Sequence, residues 1–311
     1  MKVFSGSPWE WPDPSRPRAV AIGVFDGVHH GHRYVIRTMV SRSVELDLEP
    51  AVLTFDPHPV AVIAPEQAPD LLTGIGVRVA LFEELGVETV GVLSFDDDIR
   101  RLSPAEFVVD VVVGKLGARS VVVGEDFRFG NDRTGHVGLL RELGDTHGFE
   151  AVVVPLVGDE RPVSSTAIRT ALADGDLATA VDLLGHPPEV GGEVRPGDGR
   201  GSTIGVPTAN LDVASNLVLP GRGVYAVRVR SDDEWVPGVA NVGVRPTFGG
   251  DTEDVLEVHL LDWSGDLYGM EVSVRFVERI RDEMVFGSVE ALVSQIRDDI
   301  ETARGILTRG D

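Results

Sequence analysis

The sequence predicts two domains: an α/β domain built on a parallel sheet, then a small antiparallel β-barrel that ends in a helix. Three observations carry this reading. From residue 18 to residue 185, short β-branched runs alternate with helical segments, the pattern of a parallel sheet covered on both faces. At Gly185-His186-Pro187-Pro188 the pattern changes to closely spaced strands separated by glycine turns, which suits a small barrel. Residues 288–308 then form an amphipathic helix, with Ser288 as N-cap and Leu292, Ile296, Ile300 and Ile306 supplying much of its apolar side. The expected domains are residues 1–186 and 187–311, each long enough for its own core.

Composition narrows the function. The formal charge of −22 argues against nucleic acid, whose binding rests on neutralising phosphates. No apolar run approaches a membrane span, and Met-Lys-Val-Phe-Ser-Gly at the start lacks a secretory core. With no cysteine there are no disulfides and no thiol catalysis, and the cytoplasm is the expected compartment. Lys2 and Lys115 are the only lysines, which excludes a Gly-Lys-Ser/Thr phosphate loop and leaves basic chemistry to arginine. On so acidic a chain, a phosphate site calls for local arginines and a divalent cation. Nothing in the sequence decides between a monomer and a homo-oligomer.

Residues 1–17, rich in Pro and Trp, read as an irregular lead-in. Val20, Ile22 and Val24 make a buried strand, and a helix follows over 31–46. Pro50 to Phe55 is a second strand, ending in Asp56-Pro57-His58-Pro59. Residues 76–86 read as helix and 88–94 as strand; Ser103-Pro104-Ala105-Glu106 starts a helix with Ser as cap, Pro at the first position and Glu at the third. Ser120 to Gly124 and Glu150 to Val154 are core strands, and Ser164-Ser165-Thr166 opens a helix. Two short helices follow, the second closed by Gly185. Beyond the boundary, strands are expected at 224–229, 235–242, 255–261 and 270–279.

Four stretches carry chemistry. The first is the turn from Gly23 to His32, where glycines permit close backbone approach and His29 and His32 flank the start of a helix. Imidazoles there can donate to phosphate oxygens; the same residues also suit a plain helix start, or a metal site of His29, His30 and His32. The second is Glu125-Asp126-Phe127-Arg128-Phe129-Gly130, a charged and aromatic loop after a core strand, which suits a planar ligand as well as core packing. The third is the glycine-rich run 197–210, in which Thr208 and Asn210 face the same way and offer hard oxygens to Mg²⁺. In the fourth, Glu257 and His259 share one face of a strand while Leu256, Val258 and Leu260 share the other. A carboxylate so placed can serve as general base if its strand faces a pocket, and is otherwise an exposed face residue.

The ten residues Gly23-Val-Phe25-Asp26-Gly27-Val28-His29-His30-Gly31-His32 resemble the signature of the nucleotidylyltransferase superfamily. In this longer form they resemble one branch, the bacterial bifunctional riboflavin kinase/FAD synthetases. The resemblance implies a Rossmann-like FMN adenylyltransferase domain followed by a riboflavin-kinase-like barrel. Its second block matches Thr54-Phe55-x-Pro57-His58-Pro59, which implies that His58 helps hold ATP phosphates. Asp126, Phe127, Arg128 and Phe129 then belong to a nucleotide and flavin pocket. Ser164-Ser165-Thr166-x-x-Arg169 resembles the superfamily's mobile phosphate loop. With Gly23, Phe25, Asp26 and Gly31, these form the implied adenylyltransferase site, in which His29 and His32 stabilise the transferring phosphate.

In the second domain, Gly205-x-Pro207-Thr208-Ala209-Asn210 resembles the nucleotide and Mg²⁺ motif of riboflavin kinases, and Gly201 belongs to the same loop. Glu257 matches the catalytic base, with Asp262, Leu267, Tyr268 and Gly269 following at the family's spacing. The segments 240–248 and 281–286, with Arg245, Arg281 and Phe286, are expected beside the flavin. The implied partners are ATP, riboflavin and FMN, with FMN and FAD as substrate and product rather than prosthetic groups. Two other functions fit part of the pattern: an adenylyltransferase for another phosphate-bearing substrate with a non-catalytic barrel, and a flavin carrier without catalysis.

Overall fold

The structure, a computed structural model, describes residues 1–155, 164–196, 205–231, 234–246 and 252–309; the side chains of residues 231, 245, 246, 252 and 253 are also outside it. The chain forms two compact units, residues 1–69 with 78–163 and residues 70–77 with 164–311.

Along the chain, residues 1–101 give β1 (Lys2–Gly6), β2 (Arg18–Ile22), α1 (His30–Leu46), β3 (Glu49–Phe55), α2 (Pro59–Ile63), α3 (Ile75–Glu84), β4 (Thr89–Leu93) and α4 (Asp97–Arg101). Then come α5 (Pro104–Glu106), β5 (Ala118–Gly124), a hairpin of β6 (Arg128–Phe129) and β7 (Gly135–His136), α6 (Val137–His147) and β8 (Glu150–Val154). The expected capping box is present: the Ser103 hydroxyl accepts from the Glu106 N–H, and the Glu106 carboxylate accepts from the Ser103 N–H. The helix then widens to the π form over Phe107–Lys115.

Six of these strands make one parallel sheet in the order β1-β4-β3-β2-β5-β8. Every residue of β2, β3 and β4 is buried, as a sheet covered on both faces requires. From β2 the chain builds β3 and β4 to one side, and β5 and β8 lie on the other. Such a switch leaves a crevice at the carboxyl ends of β2 and β5.

The amino ends of the same strands hold a polar row, buried at Arg18, Glu49 and Thr89 and exposed at Lys2. Lys2, Arg18, Glu49 and Thr89 are the first residues of β1, β2, β3 and β4. Glu49 accepts from the Arg18 guanidinium (3.0 Å), the Thr89 hydroxyl (2.5 Å) and the Lys2 ammonium (3.5 Å), while Arg18 also donates to the Leu116 carbonyl (3.1 Å). Arg18 and Glu49 are both 2% exposed, so neither charge has water to fall back on.

The second unit contains α7 (Ser165–Ala173), α8 (Leu177–Leu184), β9 (Glu189–Arg195), β10 (Ala209–Asp212), β11 (Gly223–Ser231), β12 (Glu234–Pro246), β13 (Thr252–Leu260), β14 (Glu271–Arg281) and α9 (Val289–Leu307). The strands close into an antiparallel barrel, β10-β13-β12-β11-β14-β9, and α9 packs on β11, β12 and β14. Tyr225, Val227, Val229, Val258, Val274 and Phe276 fill the core. Glu189 at the start of β9 is buried against Arg275 (2.9 Å) and Arg230 (3.7 Å), and Trp235 lies under both guanidinium groups. Helices α7 and α8 cluster with the barrel, although the sequence placed them before its boundary. One reason is a bond from the Gly221 N–H to the Leu172 carbonyl in α7 (2.8 Å). Among the described residues no helix is long and apolar enough to cross a membrane.

The Arg18–Glu49 pair sets a measurable pH dependence. Burial, the largest single influence, pushes the Glu49 carboxyl up, but Thr89, Arg18 and Lys2 together hold it below its ordinary value of 4.5. A carboxyl depressed in the folded state stabilises above the unfolded value, and that contribution is lost as pH falls through the folded one. Urea unfolding at pH 7 is therefore expected to show Glu49→Gln less stable by about 3 kcal/mol. The difference between the variant and the natural chain should shrink as pH falls below about 4.5. An equal difference at both pH values would contradict the pairing.

Candidate active sites

The first site begins where β2 ends. A Cβ on Gly23 would lie 2.9 Å from the Phe25 ring, so a larger residue would have to displace that buried ring. Phe25 (φ 53°), Gly27 (φ 81°) and Val28 (φ 42°) all take positive φ. For Phe25 and Val28 that costs about 1–2 kcal/mol each, and such strain persists only where the surroundings over-determine it. Phe25, Asp26, Val28 and His29 are buried, and the Phe25 ring meets Phe82 (5.9 Å) and His32 (5.4 Å) edge-on.

The His-x-Gly-His spacing has a local cause. His29 is the N-cap of α1, and its Nδ1 accepts from the His32 N–H (3.4 Å), three residues on. The two rings stack with centroids 3.5 Å apart. A Cβ on Gly31 would come within 3.3 Å of the His29 ring, so a larger residue would crowd the cap. Burial first, then the neighbouring His29 and Arg78, holds His32 well below the usual histidine value of 6.5. The His32 Nδ1 is buried with no hydrogen-bond partner among the described residues. His30 is exposed, and no group of three or more His, Asp or Glu able to hold a metal occurs among the described residues.

A cavity of about 300 Å³ opens at the carboxyl ends of β2, β3 and β5. Gly23, Phe55, His58, Asp126, Phe127 and Arg128 contribute to its wall, and so does Phe129. His29 and His32 are not in that wall; they join it through Gly23 and Val24, which line the cavity and start the turn. The His58 Nδ1 accepts from the Val60 N–H (3.1 Å), so the neutral ring carries its proton on Nε2. Phe127 and Phe129 stack on each other (5.3 Å), and both also belong to the hydrophobic core. The core-packing reading of that loop is what these contacts show. Arg128 and Asp126 are exposed at the mouth, with the Arg128 Nη1 donating to the Phe127 carbonyl (2.9 Å).

The sequence missed Arg78. It is fully buried on α3, and its Nη1 lies 2.9 Å from the Val24 carbonyl and 3.4 Å from the Phe55 carbonyl.

The Ser164–Arg169 motif belongs to the second compact unit. Ser164 caps α7 by accepting from the Ala167 N–H (3.2 Å), Ser165 is half-buried and Thr166 is exposed. The Arg169 Nε donates to the Asp70 carbonyl (2.6 Å).

The barrel carries the other site. Glu257 on β13 stands directly opposite Asn210 on β10 and Asn241 on β12. Residues opposite each other in a ladder present side chains to the same face, so an amide, a carboxylate and an amide form one row. Leu256, Val258 and Leu260 are buried on the alternate face, as expected. Glu257, His259 and Asn241 line a cavity of about 320 Å³, with Thr208 at one side and Leu292, Ile296 and Ile300 of α9 at another. A second cavity of about 350 Å³ is walled by Trp263, Asp266, Leu267 and Tyr268. Thr208 lines both. The His259 Nδ1 lies 2.8 Å from the Pro207 carbonyl, so it must donate there, and it holds the residue before Thr208.

Arg281 and Phe286 line the cavity with Glu257, and Arg281 is also held by fixed acceptors. Its Nε and Nη2 grip the Asp299 carboxylate (2.9 and 2.7 Å), and its Nη1 donates to the Asp282 carbonyl (2.8 Å). Asp299 is buried and also accepts from Gln295 (3.0 Å), so this pair ties α9 to β14. Gly205 has the positive φ (80°) that favours glycine. Gly201 and the Arg245 side chain lie outside the described residues.

Known proteins share both halves of this arrangement. A family model described as FAD synthetase matches residues 12–167, and one described as riboflavin kinase matches residues 184–307. A bifunctional riboflavin kinase/FMN adenylyltransferase from Pseudomonas fluorescens is 42% identical over 286 residues, covering 92% of this chain and 91% of its own. Its namesake from Escherichia coli K12 is 40% identical over 307 residues, covering 98% and 97%. A solved structure described as a macrolide-efflux protein from Streptococcus pneumoniae is 33% identical, covers 98% of this chain and 99% of that one, and aligns with a TM-score of 0.82. With both family models matched in order and curated relatives aligned over nearly its whole length, the chain belongs to the family of bifunctional riboflavin kinase/FMN adenylyltransferases.

Proposed function

We propose that this chain makes FAD from riboflavin in two ATP-dependent steps, one on each site. The observation that carries the kinase assignment is the Asn210–Glu257–Asn241 row beside Thr208, the residue shared by two cavities. Riboflavin takes the cavity bounded by α9, and ATP takes the one walled by Trp263, Leu267 and Tyr268. The ribityl 5′-hydroxyl attacks the γ-phosphorus as Glu257 accepts its proton. The new O–P bond forms while the bond to the β-phosphate oxygen breaks, giving FMN and ADP. Thr208 and Asn210 offer a hydroxyl and an amide oxygen, a donor set that fits Mg²⁺ completed by nucleotide phosphates. When bound there, the ion would neutralise charge on the transferring phosphoryl group.

In the first unit an FMN phosphate oxygen attacks the α-phosphorus of ATP, and pyrophosphate leaves. No covalent enzyme intermediate is needed. His29, His32 and His58 donate to the phosphate oxygens, and a neutral His32 can do so without a second buried charge. Ser165 and Arg169 are assigned to the leaving pyrophosphate on their motif. We take the two functional domains as residues 1–186 and 187–311. The intact Glu257 row speaks against a barrel that only binds.

Incubation with riboflavin, ATP and Mg²⁺, followed by chromatography of the flavins, is expected to give FMN and then FAD. His29→Ala should lower FAD formation about a hundredfold and leave FMN formation unchanged. Glu257→Gln should lower FMN formation by about a hundredfold or more, yet still convert supplied FMN to FAD. A folded variant that lost both activities would refute the two-site assignment. Imidazole NMR should show the His32 midpoint below the usual histidine value. A histidine depressed in the folded state loses stability as pH falls below the unfolded value, so His32→Gln should flatten that loss. A His32 midpoint at or above the ordinary value would contradict its burial.

A further inference from the structure

The β2–β3 ladder ends where the Gly23 N–H donates to the Leu53 carbonyl (3.1 Å). Beyond that bond the two strands part, one into the histidine turn and the other into Asp56-Pro57-His58. Arg78 spans the gap. Its Nη1 donates to the Val24 carbonyl (2.9 Å), the Thr54 hydroxyl oxygen (3.3 Å) and the Phe55 carbonyl (3.4 Å), and its Nη2 lies 3.9 Å from the Asp56 carboxylate. The Thr54 hydroxyl donates to the same Val24 carbonyl (2.9 Å). Val24 and Phe55 both line the cavity at this end of the sheet.

A fully buried guanidinium forgoes water; fixed acceptors replace it at Nη1, while Nε has no partner among the described residues. Here the acceptors are the exits of two strands, so the charge and the loop geometry hold each other in place. The positive φ values at Phe25 and Val28 need such bracing, because nothing in their own chemistry favours them. We propose that Arg78 is a positioning residue for adenylyl transfer: its guanidinium sets the histidine turn and the His58 loop in fixed relation. This rests on the first site being the adenylyltransferase.

The test uses the full chain. Steady-state FAD formation from FMN and FMN formation from riboflavin are compared for the natural chain, Arg78→Met, Arg78→Lys and Thr54→Val. All are measured well below their thermal midpoints, with the folded fraction from circular dichroism. Per folded molecule, Arg78→Met should lower kcat for FAD formation at least about tenfold. Arg78→Lys, a point charge without the fork, should recover only part of it. Thr54→Val, nearly isosteric, should lower kcat about threefold and decides the matter if the Arg78 variants do not fold. FMN formation should stay within about twofold throughout, since the barrel lies in the other compact unit. A purely structural role would lower the thermal midpoint and leave kcat per folded molecule unchanged; that result, for either Arg78→Met or Thr54→Val, overturns the proposal. If the natural chain itself forms no FAD, the reading of the first site fails instead.

Discussion

The first unit depends on one topological constraint, the reversal of strand order at β2. Crossovers between parallel strands are right-handed, so strands added on opposite sides of β2 send their helices to opposite faces. The loops after β2 and β5 must then diverge, and a crevice opens between them. The histidine turn follows β2 and the Asp126–Phe129 loop follows β5, so both reach that crevice without further design. At the other end of the sheet the strands start on Lys2, Arg18, Glu49 and Thr89. One edge of the sheet thus carries a buried ion pair that fixes the strands, and the other carries strained turns that can do chemistry.

The barrel solves a different problem by closure. An antiparallel ladder alternates its faces with a period of two, and β13 uses both. Leu256, Val258 and Leu260 fill one side, while Glu257 and His259 face a cavity that α9 helps to wall. Closing the sheet brings β10 and β12 to either side of β13, which sets Asn210 and Asn241 against the same carboxylate. Removing any one of these strands would break the row as well as the fold.

What the sequence revealed was contiguous. The Gly23–His32 turn, the Ser103 capping box and the alternation along β13 each lie within about ten residues, and local geometry fixes their meaning. Features built from distant residues stayed hidden. Arg78 acts on carbonyls 54 and 23 residues away, and a lone arginine in a helical stretch gives no sign of that. The Arg281–Asp299 pair stayed hidden, because nothing local announces a partner 18 residues on in another element. β9 escaped notice because Gly191 and Gly192 dilute its strand pattern, and it closes the barrel by pairing with β10 and β14, distant in sequence. The grouping of α7 and α8 with the barrel depends on bonds such as Gly221 to Leu172, which no composition shift marks.

The central claim is that one chain breaks two different bonds of ATP at two separate sites. Isotope tracing tests it most directly: the protein is given riboflavin with ATP labelled at either the γ- or the α-phosphorus, and the label in each flavin is counted. The account predicts γ-label in FMN and in the FMN half of FAD, and α-label in FAD alone. If the α-label enters no flavin, or the γ-label is missing from FMN, the account is contradicted.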